Sequence, residues 1–343
     1  MSQADQRLPR LGVVVVTYNA ADVITDCLQT LFASVGVILS VVVVDNASPD
    51  GTETVVRRWQ GGEGPSPQPM PFATAPTHLP AGVDRLPALA AHHHLSLIQT
   101  GSNLGFAAAV NIGLSALARI DGLDRFWILN PDSAVPPDTA AAFACEPEPE
   151  GGFSLMGGRV LYFDKPEVIQ IDGGVIDWRS GVTRNVNQFR PAGCPQPDPA
   201  AMDFITGASM VASRRFLQQA GPMPEEYFLY YEEVDWALQR GSLPLIYCAG
   251  GIVYHRAGSA IGSPAPGRAA SPFSTYFKHR GRMRFLRRNR PLSLPGGWAF
   301  GLAKMAQLLL KGDAPAAHAL WCGMAGRRPP AAVRARLPET LSL

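Results

Sequence analysis

Carboxylates and one histidine stand where apolar runs end, and their types and positions could support chemistry. Asp45 and Asp132 each follow an apolar run, an acidic cluster occupies 232–235, and His255 ends a later apolar run. Open α/β sheets bind ligands at the edge formed by the carboxyl ends of their strands. If these runs are strands, the sequence indicates a polar site at such an edge.

Residues 130–132, Asn-Pro-Asp, could form either part of a metal site or a simple turn. Asp132 and His255 could complete the shell of one hard cation together with a ligand's phosphates, because magnesium and manganese often bind through few protein groups. Asn, Pro and Asp are also common turn residues. The stretch alone leaves both interpretations open.

Two other acidic positions carry a similar ambiguity. Asp45 could accept a hydrogen bond from a nucleobase, or it could belong only to the turn chemistry of 45–51. Glu232 and Glu233 are adjacent and point to different faces, so one could act as a general base while the other caps or pairs. Acids are also favoured in a first helical turn by the helix dipole.

The order of apolar patterns predicts the fold class. Runs beginning at 11 and 37 predict buried strands, and each is followed by a helical pattern. This β-α-β-α order is typical of an α/β fold with a mostly parallel central sheet flanked by helices. Short strands with glycine turns are predicted after 153, and helices from about 272. The glycines around Asn103 let the backbone approach a ligand, but GxGxxG and GxxxxGK are absent, which disfavours Rossmann and P-loop sites.

Composition and charge limit the class of protein to which this chain can belong. Of 343 residues, 46% are apolar and 17% charged, which is sufficient for a sizeable core. Five cysteines without a CxxC pair indicate reduced thiols, and 1–10 lacks a signal sequence, so a cytoplasmic protein is expected. The net charge is +2, and 278–290 contributes +7, so the remainder stands at −5. This local basicity argues against a nucleic-acid-binding surface.

Seven motifs in order resemble the family-2 inverting glycosyltransferases of the GT-A fold. The bacterial rhamnosyltransferase-like enzymes of cell-surface polysaccharide assembly are the nearest subgroup, and the resemblance covers about 11–258. The motifs are VVVVTYN (13–19), VVVVDNASPDGT (41–52), NLGFAAAVNIG (103–113), WILNPDS (127–133), FITGASMVASRRF (204–216), FLYYEEVDWALQR (228–240) and VYH (253–255).

The resemblance implies a GT-A domain over 1–270, with a Pro/Gly-rich insertion at 61–91, and a basic, amphipathic helical extension over 271–343. It implies an inverting hexosyltransferase that moves rhamnose or another deoxyhexose from a dTDP- or UDP-sugar to a hydroxyl of a saccharide or polyprenyl-diphosphate-linked acceptor. Two alternatives stay open: a sugar-nucleotide nucleotidyltransferase, and a non-catalytic sugar-nucleotide-binding protein of the same fold.

The resemblance also implies roles for individual residues. Asp132 and His255 would hold Mg²⁺ or Mn²⁺ on the diphosphate, since Asn130 replaces the first acid of the usual Asp-x-Asp. Glu233 would be the general base, one methylene longer than the usual Asp, with Asp235 and Glu232 in support. Thr206, Gly207 and Ala208 would face the acceptor. The donor-binding residues would be Thr17, Tyr18, Asn19, Asp45, Asn46, Asn103, Gly105, Asn111 and Asn130.

The C-terminal pattern allows two interpretations. Basic residues alternate with aromatic and aliphatic ones over 277–290, and an apolar helical face continues to 310. One interpretation is a pair of helices on an anionic membrane surface through 277–310, which would make the protein peripheral on the inner face of the cell membrane. The other is an ordinary solvated face over a helical subdomain.

Overall fold

The computed structural model describes residues 8–64, 68–73, 93–256 and 269–337. Most of the insertion at 61–91 lies outside these residues. The N-terminal part alternates strands and helices, as the apolar pattern predicts. Its elements are β1 (Arg10–Thr17), α1 (Ile24–Phe32), β2 (Ile38–Asp45), α2 (Thr52–Gln60), β3 (His94–Gln99), α3 (Phe106–Leu117) and β4 (Arg125–Leu129).

The middle of the chain is richer in strands. Short 3₁₀ turns at Pro199–Ala201 and Glu225–Tyr227 interrupt it. Its elements are β5 (Ser133–Ala134), α4 (Thr139–Cys145), β6 (Leu155–Tyr162), β7 (Lys165–Ile171), β8 (Gly174–Asp177), β9 (Val182–Asn185), β10 (Ser209–Ser213), α5 (Arg214–Ala220), α6 (Glu232–Leu238) and β11 (Ile246–His255).

The central sheet of the described residues has nine strands in the order β3-β2-β1-β4-β10-β6-β11-β5, with β7 beside β6. Pairing is parallel from β3 to β4 and between β6 and β11, and antiparallel where β10 lies between β4 and β6. The sheet is therefore mixed: helical crossovers produce its parallel part, whereas a tight turn joins β6 antiparallel to β7. Strands β8 and β9 form a separate hairpin.

Apolar cores cover both faces of this sheet. Along β1, Val14 and Val16 pack into one core with residues of α3, whereas Val13 and Val15 pack into the other with residues of α1 and α4. Successive strand residues point to opposite faces, so a run of valines fits a strand buried on both sides. The sheet, the flanking helices and the helical C-terminal extension confirm the expected α/β architecture.

Four helices form the C-terminal part: α7 (Pro272–Asn289), α8 (Leu294–Leu310), α9 (Ala314–Met324) and α10 (Ala331–Arg334), with a 3₁₀ turn at Pro291–Ser293 before α8. None of the helices in the described ranges combines the length and apolar character that crossing a membrane requires. The boundary at 270 stays a prediction.

Helix α7 differs from the expected membrane-surface helix. Its apolar residues Phe277, Met283, Phe285 and Leu286 are fully buried in the protein cores, so they do not face a membrane. Arg282 is also buried, and its guanidinium donates to the carbonyls of Ser180 and Gly297. A local basic pattern cannot distinguish an arginine that faces lipid head groups from one that binds backbone carbonyls.

Candidate active site

A cavity of about 890 Å³ opens at the carboxyl edge of the parallel strands. It brings together thirteen of the seventeen residues that the sequence indicated, from strands, loops and helix ends far apart in the chain. They are Tyr18, Asn19, Asn46, Asn103, Gly105, Asn130, Asp132, Thr206, Gly207, Ala208, Glu232, Glu233 and His255.

Strand register explains this convergence. Thr17 at the end of β1 pairs with Asp45 at the end of β2, and Leu129 at the end of β4 pairs with Val15. The loops that follow these strands therefore start at one edge. Strand β10 runs antiparallel to β4, so the residues that precede β10 reach the same edge. There the backbone N–H of Asn130 donates to the Ala208 carbonyl at 3.0 Å.

Asp132 and His255 meet because β11 pairs with β5, directly after Asp132. His255 pairs with Ser133, and the Arg256 amide donates to the Asp132 carbonyl. The Asp132 Oδ1 atom lies 3.0 Å from His255 Nε2, and both side chains are buried. Two residues that are far apart in sequence thus present a carboxylate and an imidazole to the same point of the cavity.

Both ring nitrogens of His255 have side-chain amide partners. Nδ1 lies 3.0 Å from Gln170 Oε1, and Nε2 lies 3.1 Å from Asn130 Nδ2. With these orientations of the two side-chain amides, the proton lies on Nδ1 and a lone pair is left on Nε2. That lone pair and the Asp132 carboxylate oxygen are two acceptors 3.0 Å apart, so they need a shared proton or a metal ion. Neutral imidazole and carboxylate suit a divalent cation.

The cation site would have few protein ligands. In the ranges that the structure describes, no group of three or more His, Cys, Asp or Glu side chains converges as a metal site would require. Asp132 and His255 are therefore a pair. The residues fit a divalent cation that takes its remaining ligands from water and phosphate, as Mg²⁺ commonly does.

Asp45 and Thr17 lie behind the cavity rather than on its wall. Thr17 Oγ1 donates to Asp45 Oδ1 at 2.8 Å, and the Ser48 amide and hydroxyl also donate to the carboxylate. The side chain is almost completely buried. These contacts correspond to the turn interpretation, and they hold the loop after β2 in place.

Asn46 connects this loop to the turn before α3. Its Nδ2 donates to Asn103 Oδ1 and to the Gly105 carbonyl, and its Oδ1 accepts from the Leu104 amide. Gly105 has φ +89°, and a Cβ built there would lie 2.7 Å from the Phe228 carbonyl oxygen. A side chain at position 105 would therefore collide with the loop that precedes α6.

Glu232 and Glu233 begin α6, after a loop with three non-glycine residues in the left-handed region: Phe228, Tyr230 and Tyr231. Such backbone costs about 1–3 kcal/mol per residue and persists only when the surrounding packing enforces it. Here the fully buried Tyr231 donates to the Gly181 carbonyl. The unusual backbone turns both glutamates toward the cavity.

The two glutamates are held in a poorly solvated position. In the described part of the chain, their Oε2 atoms are buried without a hydrogen-bond partner. Burial and the neighbouring Glu233 charge raise the pKa of Glu232 well above its ordinary value. Burial also raises the pKa of Glu233, while the Lys278 charge acts in the opposite direction. A carboxylate with a raised pKa is a stronger base than an ordinary one.

Asp235 and Asn111 lie away from the cavity wall. Asp235 accepts from the Tyr227 hydroxyl and from Asn289 Nδ2, so it anchors α6 against α7. Asn111 binds the backbone of Met223 in both directions. These two residues support the elements around the cavity and do not contact its interior.

The cavity also has a wall that the sequence did not indicate. It comes from strands β6, β7 and β9, the following loop, and helix α7. No local motif marks these residues, because their position depends on antiparallel pairing and on helix docking. They include Tyr162, Gln170, Thr183, Arg184, Asn185, Gln188, Ser274 and Lys278.

The chain is similar to known glycosyltransferases. Residues 12–68 match the model of glycosyl transferase family 2. The N-acetylglucosaminyl-diphospho-decaprenol L-rhamnosyltransferase of Mycobacterium tuberculosis is 26% identical over 291 residues, covering 78% of this chain and 82% of that protein.

Two solved structures also align with most of the chain. The mannosyltransferase PcManGT from Pyrobaculum calidifontis, in complex with GDP-Man and Mn²⁺, aligns with TM-score 0.49 and 19% identity over 94% of this chain and 81% of that one. S. aureus TarS 1–349 in complex with UDP-GlcNAc aligns with TM-score 0.47 and 13% identity over 96% and 84%. The family match and the mycobacterial relative show that the chain is similar to family-2 glycosyltransferases, among them a rhamnosyltransferase.

Proposed function

We propose that this protein transfers rhamnose or another deoxyhexose from a dTDP- or UDP-sugar to a hydroxyl of a saccharide or lipid-linked saccharide, with inversion and with a divalent cation. One observation carries the proposal. A single cavity holds the pair Asp132 and His255 together with the buried glutamates that begin α6. Such a transfer needs two groups within one cavity: side chains that bind a cation, and a general base.

Glu233 is the base in this scheme. Its raised pKa suits it to take a proton from an acceptor hydroxyl near neutral pH. As the proton moves to a Glu233 carboxylate oxygen, the hydroxyl oxygen attacks the anomeric carbon from the face opposite the leaving diphosphate. With one base and no nucleophile from the protein, the reaction is a single displacement that inverts the configuration.

Asp132 and His255 would hold the cation, and Gln170 would orient the imidazole through Nδ1. Asn130 contributes no charge, but its amide contacts Nε2. When bound, the cation offsets negative charge on the departing nucleoside diphosphate. Asn19, Asn46 and Asn103 line the same cavity and would contact the nucleotide.

The acceptor is proposed from the mycobacterial relative, whose name specifies a diphospho-decaprenol acceptor. A lipid carrier of this type would bring the protein to the inner face of the cell membrane, in the synthesis of a cell-surface polysaccharide. Thr206, Gly207 and Ala208 lie beside Asn130 in the cavity and would face the acceptor sugar.

The test is a transfer assay with a panel of nucleoside diphosphate sugars, a GlcNAc-diphosphate-lipid acceptor, and Mn²⁺ present or removed by chelation. We expect one deoxyhexose donor to be used, with inverted configuration of the product by NMR. Asp132→Asn should abolish transfer while the protein stays folded. A product with retained configuration, or transfer that survives both chelation and Asp132→Asn, would contradict the mechanism.

A further inference from the structure

Two lysines on neighbouring C-terminal helices have no role in the scheme above. Lys278 on α7 lines the cavity, where its side chain is exposed. Lys304 on α8 lies close enough for its charge to act on Lys278 and on the adjacent His279. The two helices are in contact where Phe300 packs on His279, so the two like charges repel each other and favour an anion near both.

The surrounding residues do not neutralise these lysines. Among the described residues, neither lysine forms an ion pair with a carboxylate, and Lys304 donates to Gln307 Oε1. Burial and the Arg282 charge hold the pKa of His279 well below its usual range. The Glu233 charge acts on Lys278, but at a distance beyond an ion pair. Glu233, the proposed base, is thus a carboxylate whose charge reaches Lys278.

An exposed apolar surface begins beside the two lysines. Phe300 on α8 stacks over the His279 ring with centroids 6.5 Å apart, and it is 38% exposed. On the same helix, Leu302, Leu309 and Leu310 are 45%, 53% and 90% exposed, and at about 100° per residue they lie roughly 120–160° around the helix from Lys304. Residues 292–311 contain two lysines and no acid. Lys304 and Phe300 therefore stand at one edge of the outward face of α8, and the leucines stand across it. A cationic edge on an apolar helix face matches an amphiphile with an anionic head and a long hydrocarbon chain that crosses this face.

We propose that Lys278 and Lys304 bind the diphosphate of a polyprenyl-diphosphate-linked acceptor, whose hydrocarbon chain lies along the exposed face of α8. This inference rests on the proposed function and identifies the acceptor subsite of the same cavity. Ammonium groups are suitable phosphate ligands, and the hydrophobic effect favours covering leucines that otherwise face water.

The position of Lys278 would also couple acceptor binding to the base. The Lys278 charge lowers the pKa of Glu233. A bound diphosphate would offset that charge, so Glu233 would become more basic when the acceptor is in place. The first sugar of the acceptor is attached to the diphosphate, so binding at Lys278 would bring its hydroxyls next to Glu233.

The test uses farnesyl diphosphate as the probe, titrated into the full chain by calorimetry at saturating nucleoside diphosphate and Mn²⁺, so that the donor site is occupied. We expect binding that is tighter than that of inorganic diphosphate. Lys278→Met and Lys304→Met should each weaken it about tenfold, the loss of about 1.4 kcal/mol that one charge-assisted contact can supply. Leu302→Ser with Leu309→Ser should weaken farnesyl diphosphate binding and leave inorganic diphosphate binding unchanged.

Lys311→Met is the matched control, because Lys311 lies seven residues beyond Lys304 on the same side of the helix, about 10 Å away. It should bind the probe as the wild type does. The inference would be overturned if Lys278→Met bound farnesyl diphosphate as tightly as the wild type does. It would also be overturned if nucleoside diphosphate abolished farnesyl diphosphate binding. No transfer takes place in this assay, so a failure of the proposed reaction would not affect its outcome.

A second copy of the chain is the other occupant that the α8 face could accept. Sedimentation of the wild type and of the Leu302→Ser, Leu309→Ser variant distinguishes the two. We expect both to be monomeric at micromolar concentration. A wild-type dimer that the double substitution dissociates would assign the face to self-association and contradict the lipid assignment.

Discussion

The Asp132 carboxylate and the Nε2 atom of His255 face each other at 3.0 Å, while Gln170 holds the opposite nitrogen of the imidazole. In the proposed function, Gln170 would therefore orient the imidazole toward a cation. Such outer contacts usually change metal affinity by about 10–100-fold. We expect Gln170→Leu to weaken Mn²⁺ binding by about tenfold, measured by electron paramagnetic resonance of free Mn²⁺.

Gln188→Leu is the control for that measurement, because Gln188 lines the same cavity and contacts Tyr162 instead of His255. It should leave Mn²⁺ affinity unchanged. Equal affinities of the Gln170→Leu variant and the wild type would show that the imidazole does not need this contact to bind the ion.

Glu233→Gln removes the proposed base with little change in shape. General-base catalysis typically contributes about 10²–10⁴-fold, so the transfer rate should fall by a factor in this range. Glu233→Asp should restore part of the rate, because it returns a carboxylate at a shorter reach. In the wild type, the rate should fall on acidification through a pKa above the ordinary glutamate value.

Glu226→Gln is the matched amide substitution on the same segment, at a residue that pairs with Arg288 outside the cavity lining. It should transfer sugar at the wild-type rate. Transfer by Glu233→Gln that equals the rate of this control would remove Glu233 from the mechanism.

Glu232→Gln tests the buried neighbour through stability rather than activity. The folded protein holds the Glu232 proton to a higher pH than the unfolded chain does, because burial and Glu233 raise the pKa of Glu232. The free energy of unfolding therefore falls as pH rises above the unfolded pKa, and this fall ends at the folded pKa. Each unit of upward shift is worth about 1.4 kcal/mol.

Glutamine has no proton to lose, so Glu232→Gln should gain stability over the wild type as the pH rises from 5 to 8. Urea unfolding at both pH values measures the difference. A stability difference that does not change with pH would mean that Glu232 titrates alike in the folded and unfolded chain.

Alanine substitutions at Gly105 and Gly101 distinguish the cost of backbone strain from the cost of a steric collision of the new Cβ. Both have positive φ, at +89° and +75°, but only at Gly105 does a Cβ meet other atoms, 2.7 Å from the Phe228 carbonyl oxygen. Gly101→Ala should cost about 1–2 kcal/mol from backbone conformation alone. Gly105→Ala should cost more and should also lower transfer, because it displaces the loop that aims Glu233.

Thermal unfolding and transfer rates of the two variants give the comparison. If Gly105→Ala is as stable and as active as Gly101→Ala, the contact between position 105 and the loop before α6 is not needed to position the base.

The sequence predicted the half of the fold that local patterns describe. The valine runs of β1 and β2 and the helices after them follow directly from residue periodicity. The ends of β1, β2 and β4 place Asn19, Asn46 and Asp132 at one edge. The mixed parallel and antiparallel pairing of the sheet is harder to predict from the sequence, because β10 pairs with β4 and β6, which are distant from it in sequence. Such pairings leave no periodic trace in either partner.

The same limit explains which site residues could not be predicted. His255 and Asp132 were expected together, and β5 and β11 join them. Gln170 and Lys278 carry no motif, since one depends on the register of β7 and the other on how α7 docks. The resemblance implies that Asn111 contacts the donor, whereas in the structure its side-chain amide binds the Met223 backbone. A motif shows that a position matters without distinguishing contact with a ligand from support of the fold.

The small hairpin of β8 and β9 connects the cavity wall to the elements that carry the glutamates. Within the described residues it is a sheet of its own, and an isolated bridge joins Gly174 to Phe204. Its residues Thr183, Arg184 and Asn185 line the cavity, while the carbonyls of its turn accept hydrogen bonds from Tyr231 and from Arg282. A change in this hairpin would therefore alter the shape of one wall and the aim of the glutamates together, so the two could not vary independently.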